Sequence, residues 1–240
     1  MIRKGTMVGE CEMALECRLA EAGYGREAIL RNLELRVRHK EFVAILGDNG
    51  AGKTTLFRAI LHLLPKQRGT FRVLGRQIRS KEDQAWIRSQ VGYVPQRQEK
   101  GRFPISVFDA VLLGRWGKTF SYFRRPGRED RRAVDHMLAL IGLEALRNQD
   151  CRNLSGGQMQ RLNIARALVR EPRILLLDEP ATHLDAEAQS ILSDLVRGIR
   201  DHSDLTVLMI SHDRIQAEAM ADRVVYIRQG SLHASPVAVP

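Results

Sequence analysis

The chain has little of what marks a secreted, membrane-spanning or metal-binding protein. Its three cysteines, Cys11, Cys17 and Cys151, fit neither a disulfide framework nor a C-x-x-C zinc pattern, which agrees with a reducing compartment. No uninterrupted apolar run approaches the ~20 residues needed to cross a bilayer. The opening residues, Met1 to Met7, are basic but lack the apolar stretch of a signal peptide. Histidines and cysteines are scattered without ligand spacing. No internal repeat or low-complexity segment is present. These absences predict a soluble, cytoplasmic chain.

Acidic residues are also in deficit. Lys and Arg number 38 against 28 Asp and Glu, a formal charge of +10. On charge alone a nucleic acid and an anionic membrane surface are both open as partners, and simple surface solubility explains the surplus equally well. Hydrophobic residues make up 44% of the 240 residues, enough for one large or two small domains with a buried core.

What is present begins with Gly47-Asp48-Asn49-Gly50-Ala51-Gly52-Lys53-Thr54, a G-x-x-x-x-G-K-T loop. It follows the strand-like run Phe42–Leu46 and precedes a helical pattern carrying Leu56, Ala59, Ile60 and Leu63. That strand–loop–helix context is what a phosphate-binding loop requires. Glycines let the backbone turn its N–H groups toward phosphate oxygens, and the helix N-terminus adds partial positive charge. Lys53 reaches the β- and γ-phosphates, and the Thr54 hydroxyl can ligate Mg²⁺. The reading is a nucleoside triphosphate site.

Along the rest of the chain, residues 1–12 show no periodicity and read as a loose leader, with Met7 or Met13 as alternative starts. Leu15–Leu19 alternates as a strand before a turn through Gly23-Tyr24-Gly25, and Leu30–Val37 reads as a half-exposed strand. Gly69–Gly75 reads as a hairpin strand, and Val91–Gln96 as a buried strand stopped by Pro95. Strand signals then vanish from about 97 to 160. Within this helical insert, Ser106 and Asp109 resemble a capping box, and a helix runs from about Arg128 to Ile141 with Val134, Met137, Leu138 and Ile141 on one face. Ile174–Leu177 and Val207–Ile210 are continuous apolar runs, as in a parallel sheet covered on both faces. A helix near 186–200 lies between them. Val224–Ile227 closes the sheet, and Gln229-Gly230 turns into a short final strand.

The run Ile174–Leu177 ends in Asp178 and Glu179. A carboxylate at a strand tip can hold Mg²⁺, and its neighbour can polarise an attacking water. Two exposed turn carboxylates would be the plain alternative. Leu154-Ser155-Gly156-Gly157-Gln158 precedes a helix carrying Met159, Leu162, Ala165 and Val169 on one face, which makes a second anion site at a helix N-terminus.

Together, Leu154–Gln158 and Gly47–Thr54 resemble the nucleotide-binding subunit of ATP-binding cassette (ABC) transporters, across roughly residues 15–232. The resemblance implies an α/β P-loop NTPase cassette: a RecA-like parallel core, an N-terminal antiparallel β-subdomain and an α-helical subdomain at about 97–160. One domain would cover 13–235. It implies that Tyr24 stacks on adenine, and that Thr55 joins Gly47–Thr54 and Ser155–Gln158 in nucleotide contact. Gln96 matches the Q-loop near Mg²⁺ and the catalytic water. Asp185 ends the Ala181–Asp185 loop that crosses the dimer interface, and His212 matches the switch histidine at the γ-phosphate. Glu179, His212 and Gln96 would be catalytic, with Thr54, Gln96 and Asp178 around Mg²⁺. The implied cofactors are ATP and Mg²⁺.

The family pairs two cassettes head to tail, so a second copy is expected, together with membrane permease subunits, an extracytoplasmic substrate-binding protein and a place on the cytoplasmic face of the membrane. No nucleic acid is expected. The stretch 99–128, with Phe103-Pro104-Ile105-Ser106-Val107, Leu112–Gly117 and Phe123-Arg124-Arg125-Pro126, looks like manganese/zinc-type importers. The cargo metal would not touch this chain. Iron-chelate, haem or cobalamin transport, export, and a soluble cassette role remain alternatives. Trp116, Phe120, Tyr122 and Phe123 among Arg115, Lys118, Arg124 and Arg125 read as exposed, suiting either nucleic-acid stacking or a protein interface, of which docking on a membrane subunit is the better fit.

Overall fold

A computed structural model describes residues 13–25, 27–96, 103–121, 123–201 and 203–234. The expected leader at 1–12, Tyr122, and the stretch 97–102 at the start of the insert lie outside them. Two sheets organise the molecule. The first is antiparallel, in the order β2-β1-β4-β5, from β1 (Met13–Tyr24), β2 (Glu27–Arg38), β4 (Lys66–Val73) and β5 (Arg76–Gln77). The second has the order β10-β9-β3-β8-β7-β6, from β3 (Phe42–Gly47), β6 (Val91–Val94), β7 (Ile174–Asp178), β8 (Thr206–Ile210), β9 (Arg223–Arg228) and β10 (Ser231–Ala234). Its pairs are parallel except at the β9–β10 edge.

Alternation explains which face each strand buries. In β1 and β2 apolar and charged residues alternate, so Leu15, Cys17, Leu19, Leu33, Leu35 and Val37 point inward while Arg18, Glu34 and Arg36 stay wet. Strands β7 and β8 are buried at every position, as expected with both faces covered. One face carries Ile174, Leu176, Leu208 and Ile210 against helix α1 (Lys53–Ile60) and the antiparallel sheet. The other carries Leu175, Leu177, Val207 and Met209 against α5 (Gly156–Leu168) and α6 (Ala186–Asp201). Each buried Leu, Ile or Val contributes about 1.5–3 kcal/mol from apolar transfer. A separate apolar cluster joins α3 (Val107–Leu113), α4 (Arg128–Leu140) and the far side of α5.

Gly47 closes β3 with φ +153° and sits directly against β9; a Cβ there would lie 2.4 Å from the Ile227 carbonyl oxygen. Strands β3 and β9 are therefore in contact through a position that only glycine can fill.

Several expectations need correction. Strand β1 runs through Gly23 and Tyr24, so the turn is confined to the following residues. The α1 pattern buries Leu56, Ala59 and Ile60, but Leu63 lies past the helix end and is 53% exposed. The backbone turns left-handed at His62 (φ +53°), which takes Leu63 off the helical face. Asp109 does not complete a capping box: Ser106 accepts from the Asp109 N–H, but the Asp109 carboxylate takes the Ser106 hydroxyl rather than its backbone. Phe120 and Arg115 are buried, not exposed. Phe120 packs in the α3–α4–α5 cluster, and Arg115 is drawn in by Asp130 (2.8 Å) and the Val169 carbonyl (2.8 Å). Helices α2 (Lys81–Gln90) and α7 (Arg214–Met220) are additions to the expected elements.

Candidate active site

Strand β3 ends at the middle of the parallel sheet, and its loop turns over the sheet's C-terminal edge, where open α/β sheets place ligands. Gly50 (φ +80°) and Gly52 (φ +103°) hold left-handed backbone, and Gly52 is the N-cap of α1 with no side-chain cap. The first turn of α1 carries no acidic residue. Its N–H groups and partial positive charge thus face the loop concavity unneutralised.

The Lys53 ammonium is 6% exposed and donates to the carbonyls of Gly47 (2.7 Å) and Asp48 (3.1 Å), with Glu179 Oε1 3.9 Å away. The charge is thereby held over the loop by groups that a phosphate oxygen can replace. Asn49, Gly50, Gly52, Lys53, Thr54 and Thr55 line one wall of a cavity of about 620 Å³. Gln96, Glu179, Thr182 and His212 line the other.

Outside the cavity lining, hydrogen-bonded to Thr54, lies a buried carboxylate with two hydroxyl donors. Asp178, 1% exposed at the tip of β7, accepts from Thr54 Oγ1 (3.1 Å) and from Tyr93 Oη (3.1 Å). Burial pushes its carboxyl above the ordinary range, and the Thr54 and Tyr93 hydroxyls pull it part of the way back. These are hard oxygen donors, the set Mg²⁺ prefers.

One residue on, Glu179 turns left-handed (φ +48°), an uncommon conformation for a side-chain-bearing residue. Its carboxylate therefore leaves the strand direction and enters the cavity. Gln96 Nε2 donates to Glu179 Oε2 at 2.6 Å, and Thr182 Oγ1 donates to the same oxygen at 3.2 Å. His212 Nδ1 lies 3.7 Å from it, on a side chain 61% exposed beyond β8. Three residues, one each from the chain after β6, β7 and β8, thus converge on one carboxylate.

The second glycine motif stands elsewhere. Ser155 caps α5 in a reciprocal box: its hydroxyl accepts from Gln158 N–H (3.2 Å), and Gln158 Oε1 accepts from Ser155 N–H (2.9 Å). Gly156 and Gly157 pack against Leu184 and Ala188, so Ser155–Gln158 and Asp185 line one hollow of about 250 Å³. The Asp185 carboxylate accepts from the Ala188 N–H at 2.8 Å. No residue of that hollow lines the 620 Å³ cavity. Tyr24 also lies outside the cavity lining; its hydroxyl takes a hydrogen bond from Arg58 (2.6 Å), whose guanidinium sits 5.8 Å from the ring centre.

Sequence reasoning missed Tyr93 and gave Thr182 no contact of its own. Tyr93 was legible only as a member of its strand, because parallel pairing with Leu176 in β7 is what sets it beside Asp178.

The glycine loop ahead of α1, the buried lysine and the paired carboxylates at the sheet edge define a P-loop nucleoside triphosphatase. Residues 30–182 match the model of the ABC transporter family, and the chain belongs to that family. It is 36% identical to a manganese transport system ATP-binding protein, MntB, of Halalkalibacterium halodurans, over 90% of this chain and 83% of the relative. It is 35% identical to a zinc transport system ATP-binding protein, TroB, of Treponema pallidum, over 85% of this chain and 74% of that one. A dimeric ATP-binding cassette in a post-hydrolysis state, bound to ADP and phosphate, superposes with a TM-score of 0.75 at 26% identity, covering 92% of this chain and 98% of that one. The fold is the P-loop cassette, and the chain is an ATPase.

Proposed function

We propose that this chain binds Mg²⁺–ATP in the 620 Å³ cavity and that its hydrolysis energises manganese or zinc import through membrane permease subunits. The observation that carries the reading is the convergence of Gln96, Thr182 and His212 on Glu179, across the cavity from Lys53 and Thr54. Support for the cargo comes from the manganese and zinc transport relatives.

On this reading the residues take the following roles, which the geometry and the family resemblance support. Lys53 and the loop N–H groups take the β- and γ-phosphates. Thr54 and Asp178 would hold Mg²⁺, which would neutralise charge developing on the phosphate oxygens. Gln96, which donates to Glu179, would contact the Mg²⁺ and the attacking water. Glu179 accepts a proton from that water as its oxygen bonds to the γ-phosphorus and the bridging bond to the β-phosphate breaks. Gln96 and Thr182 fix the Glu179 oxygen, and His212 contacts the γ-phosphate. Tyr24 stacks on adenine once Arg58 gives way.

Ser155–Gln158, which line a separate hollow, act on this reading on the ATP of a second copy in a head-to-tail pair, and Asp185 lies at the interface between the two copies. The reading takes residues 13–235 as one cassette with its helical insert at about 97–160. It places the chain on the cytoplasmic face of the membrane, held by the permease, with an extracytoplasmic substrate-binding protein as a further partner and no nucleic acid. Cellular uptake of radiolabelled zinc, manganese and iron, compared between wild type and Glu179→Gln, tests it. Loss of zinc or manganese uptake alone is expected; unchanged uptake of all three would overturn metal import.

A further inference from the structure

Residues 114–132 hold seven cations and two carboxylates, half of the formal surplus of the whole chain. One of those cations, Arg115, and one carboxylate, Asp130, are consumed in a buried pair. The pair is a staple. Asp130 also accepts from Thr119 and from the Gly127 N–H (2.8 Å), while Arg115 reaches the Val169 carbonyl. The loop between α3 and α4 is therefore fixed at both ends to the rest of the insert.

What the staple presents outward is unusual for a monomer surface. Phe123 is fully exposed, and Trp116, edge-on to Phe120 at 5.4 Å, is 38% exposed. Arg124 and Arg125 follow Phe123 directly and make no ion pair with the described residues. Arg128, Arg131 and Arg132 continue the patch at i, i+3 and i+4 on the first turns of α4, also exposed and unpaired there. Local electrostatics works against this placement. Like charges at that spacing repel, and cations are unfavourable at a helix N-terminus; of the two first-turn acids, Asp130 is held by Arg115, so only Glu129 offsets the three arginines. An external anion would reverse both costs.

We propose that this loop is a membrane contact, with Phe123 and Trp116 resting at the headgroup level and the arginines on anionic lipid phosphates. The proposal rests on the chain working as a peripheral transporter subunit. Charge complementarity selects the lipid over the permease. Cytoplasmic loops of membrane proteins carry a Lys/Arg excess, which would repel this patch, whereas the cytoplasmic leaflet is negatively charged. Aromatic side chains beside arginines suit the interface, where an apolar body meets a charged surface.

Flotation of the purified full chain with vesicles of phosphatidylcholine alone, or mixed with phosphatidylglycerol, tests this. The wild type should float with the anionic vesicles only and be released by salt. Phe123→Ser/Arg124→Gln/Arg125→Gln should lose about thirtyfold in vesicle affinity from its two arginines alone. Arg31→Gln/Arg228→Gln removes the same charge from exposed positions outside the insert and should retain binding. No binding by wild type, or equal loss in both variants, would overturn the proposal. So would a loop variant that still binds vesicles but no longer co-purifies with the permease in lipid-free detergent, which would assign the loop to a protein partner. ATP hydrolysis without lipid, measured on the same samples, separates the two readings. A chain that hydrolyses ATP yet ignores vesicles sinks only the lipid contact, and a chain that floats without hydrolysing ATP sinks only the transporter reading.

Discussion

Two glycine-rich loops each open a helix in this molecule, and they treat the helix end in opposite ways. Before α1, Gly52 caps nothing, the first turn has no acid, and a buried lysine stands over the loop. Before α5, Ser155 and Gln158 satisfy each other's backbone N–H groups, and the first turn carries neither a cation nor an acid to face a ligand. The first end is open and waits for a polyanion. The second is closed on itself, its cap N–H groups already taken. A glycine motif at a helix start thus does not by itself make a phosphate cradle; what the neighbouring side chains leave unsatisfied decides it.

The sharpest way to break this contrast is at Glu179, the proposed base. Glu179→Gln keeps the hydrogen bonds but not the base, so steady-state ATP turnover should fall about 10²–10⁴-fold. Nucleotide affinity, measured with a fluorescent ATP analogue, should remain. Near-normal turnover would remove Glu179 from its role. Lys53→Ala attacks the open end and should weaken that affinity about tenfold to a hundredfold, the worth of charge-assisted hydrogen bonds.

Ser155→Ala addresses the closed end. Its loss of the cap should lower stability by about 1 kcal/mol, seen as a small drop in thermal midpoint. Turnover should fall with the paired enzyme while nucleotide affinity of the single chain holds. If affinity falls as it does for Lys53→Ala, the two ends are not distinct.

The smallest effect near neutrality concerns Asp178. Burial raises its pKa above the ordinary carboxylate value, so its charged form is disfavoured by folding. Any stability it lends the ligand-free chain is present when protonated and lost as pH rises through the folded pKa. Magnesium-dependent ATP binding needs the opposite form, and should fade on acidification at a higher pH than a solvent-exposed aspartate would dictate. A titration of Mg²⁺–ATP affinity against pH checks the sign.

Much of this architecture could be read from patterns whose cause is local. Continuous aliphatic runs marked β7 and β8 because burial on both faces leaves no room for alternation. Helix α4 was legible from the 3.6-residue spacing of Val134, Leu138 and Ile141. Helix α2 was not, because it buries only Ile87 among its apolar residues; the clue was Ser80 with Asp83, a complete capping box. Helix α7 has seven residues and two buried ones, too little for a periodic signal. In the site, the motifs stood out in the chain, but the hydroxyl of Tyr93 and the left-handed turn at Glu179 did not. Both depend on strand register, which is a property of two strands at once. The same limit applies to Arg115 and Phe120, whose burial is set by Asp130 and α5, partners far along the chain.

The contact between Gly47 and the Ile227 carbonyl has a consequence for how this chain is made. Strand β3 is inserted between β8 and β9, so its own flanks come from residues synthesised long after it. At roughly 5–20 residues per second, Gly47 leaves the synthetic machinery on the order of ten seconds or more before Ile227 follows. Through that interval β3 has neither neighbour, and the phosphate loop has no completed sheet edge to stand on. ATP therefore stabilises the folded chain but cannot rescue the nascent one, and the aliphatic strand Phe42–Leu46 has to be kept from aggregation by other means until β8 and β9 arrive.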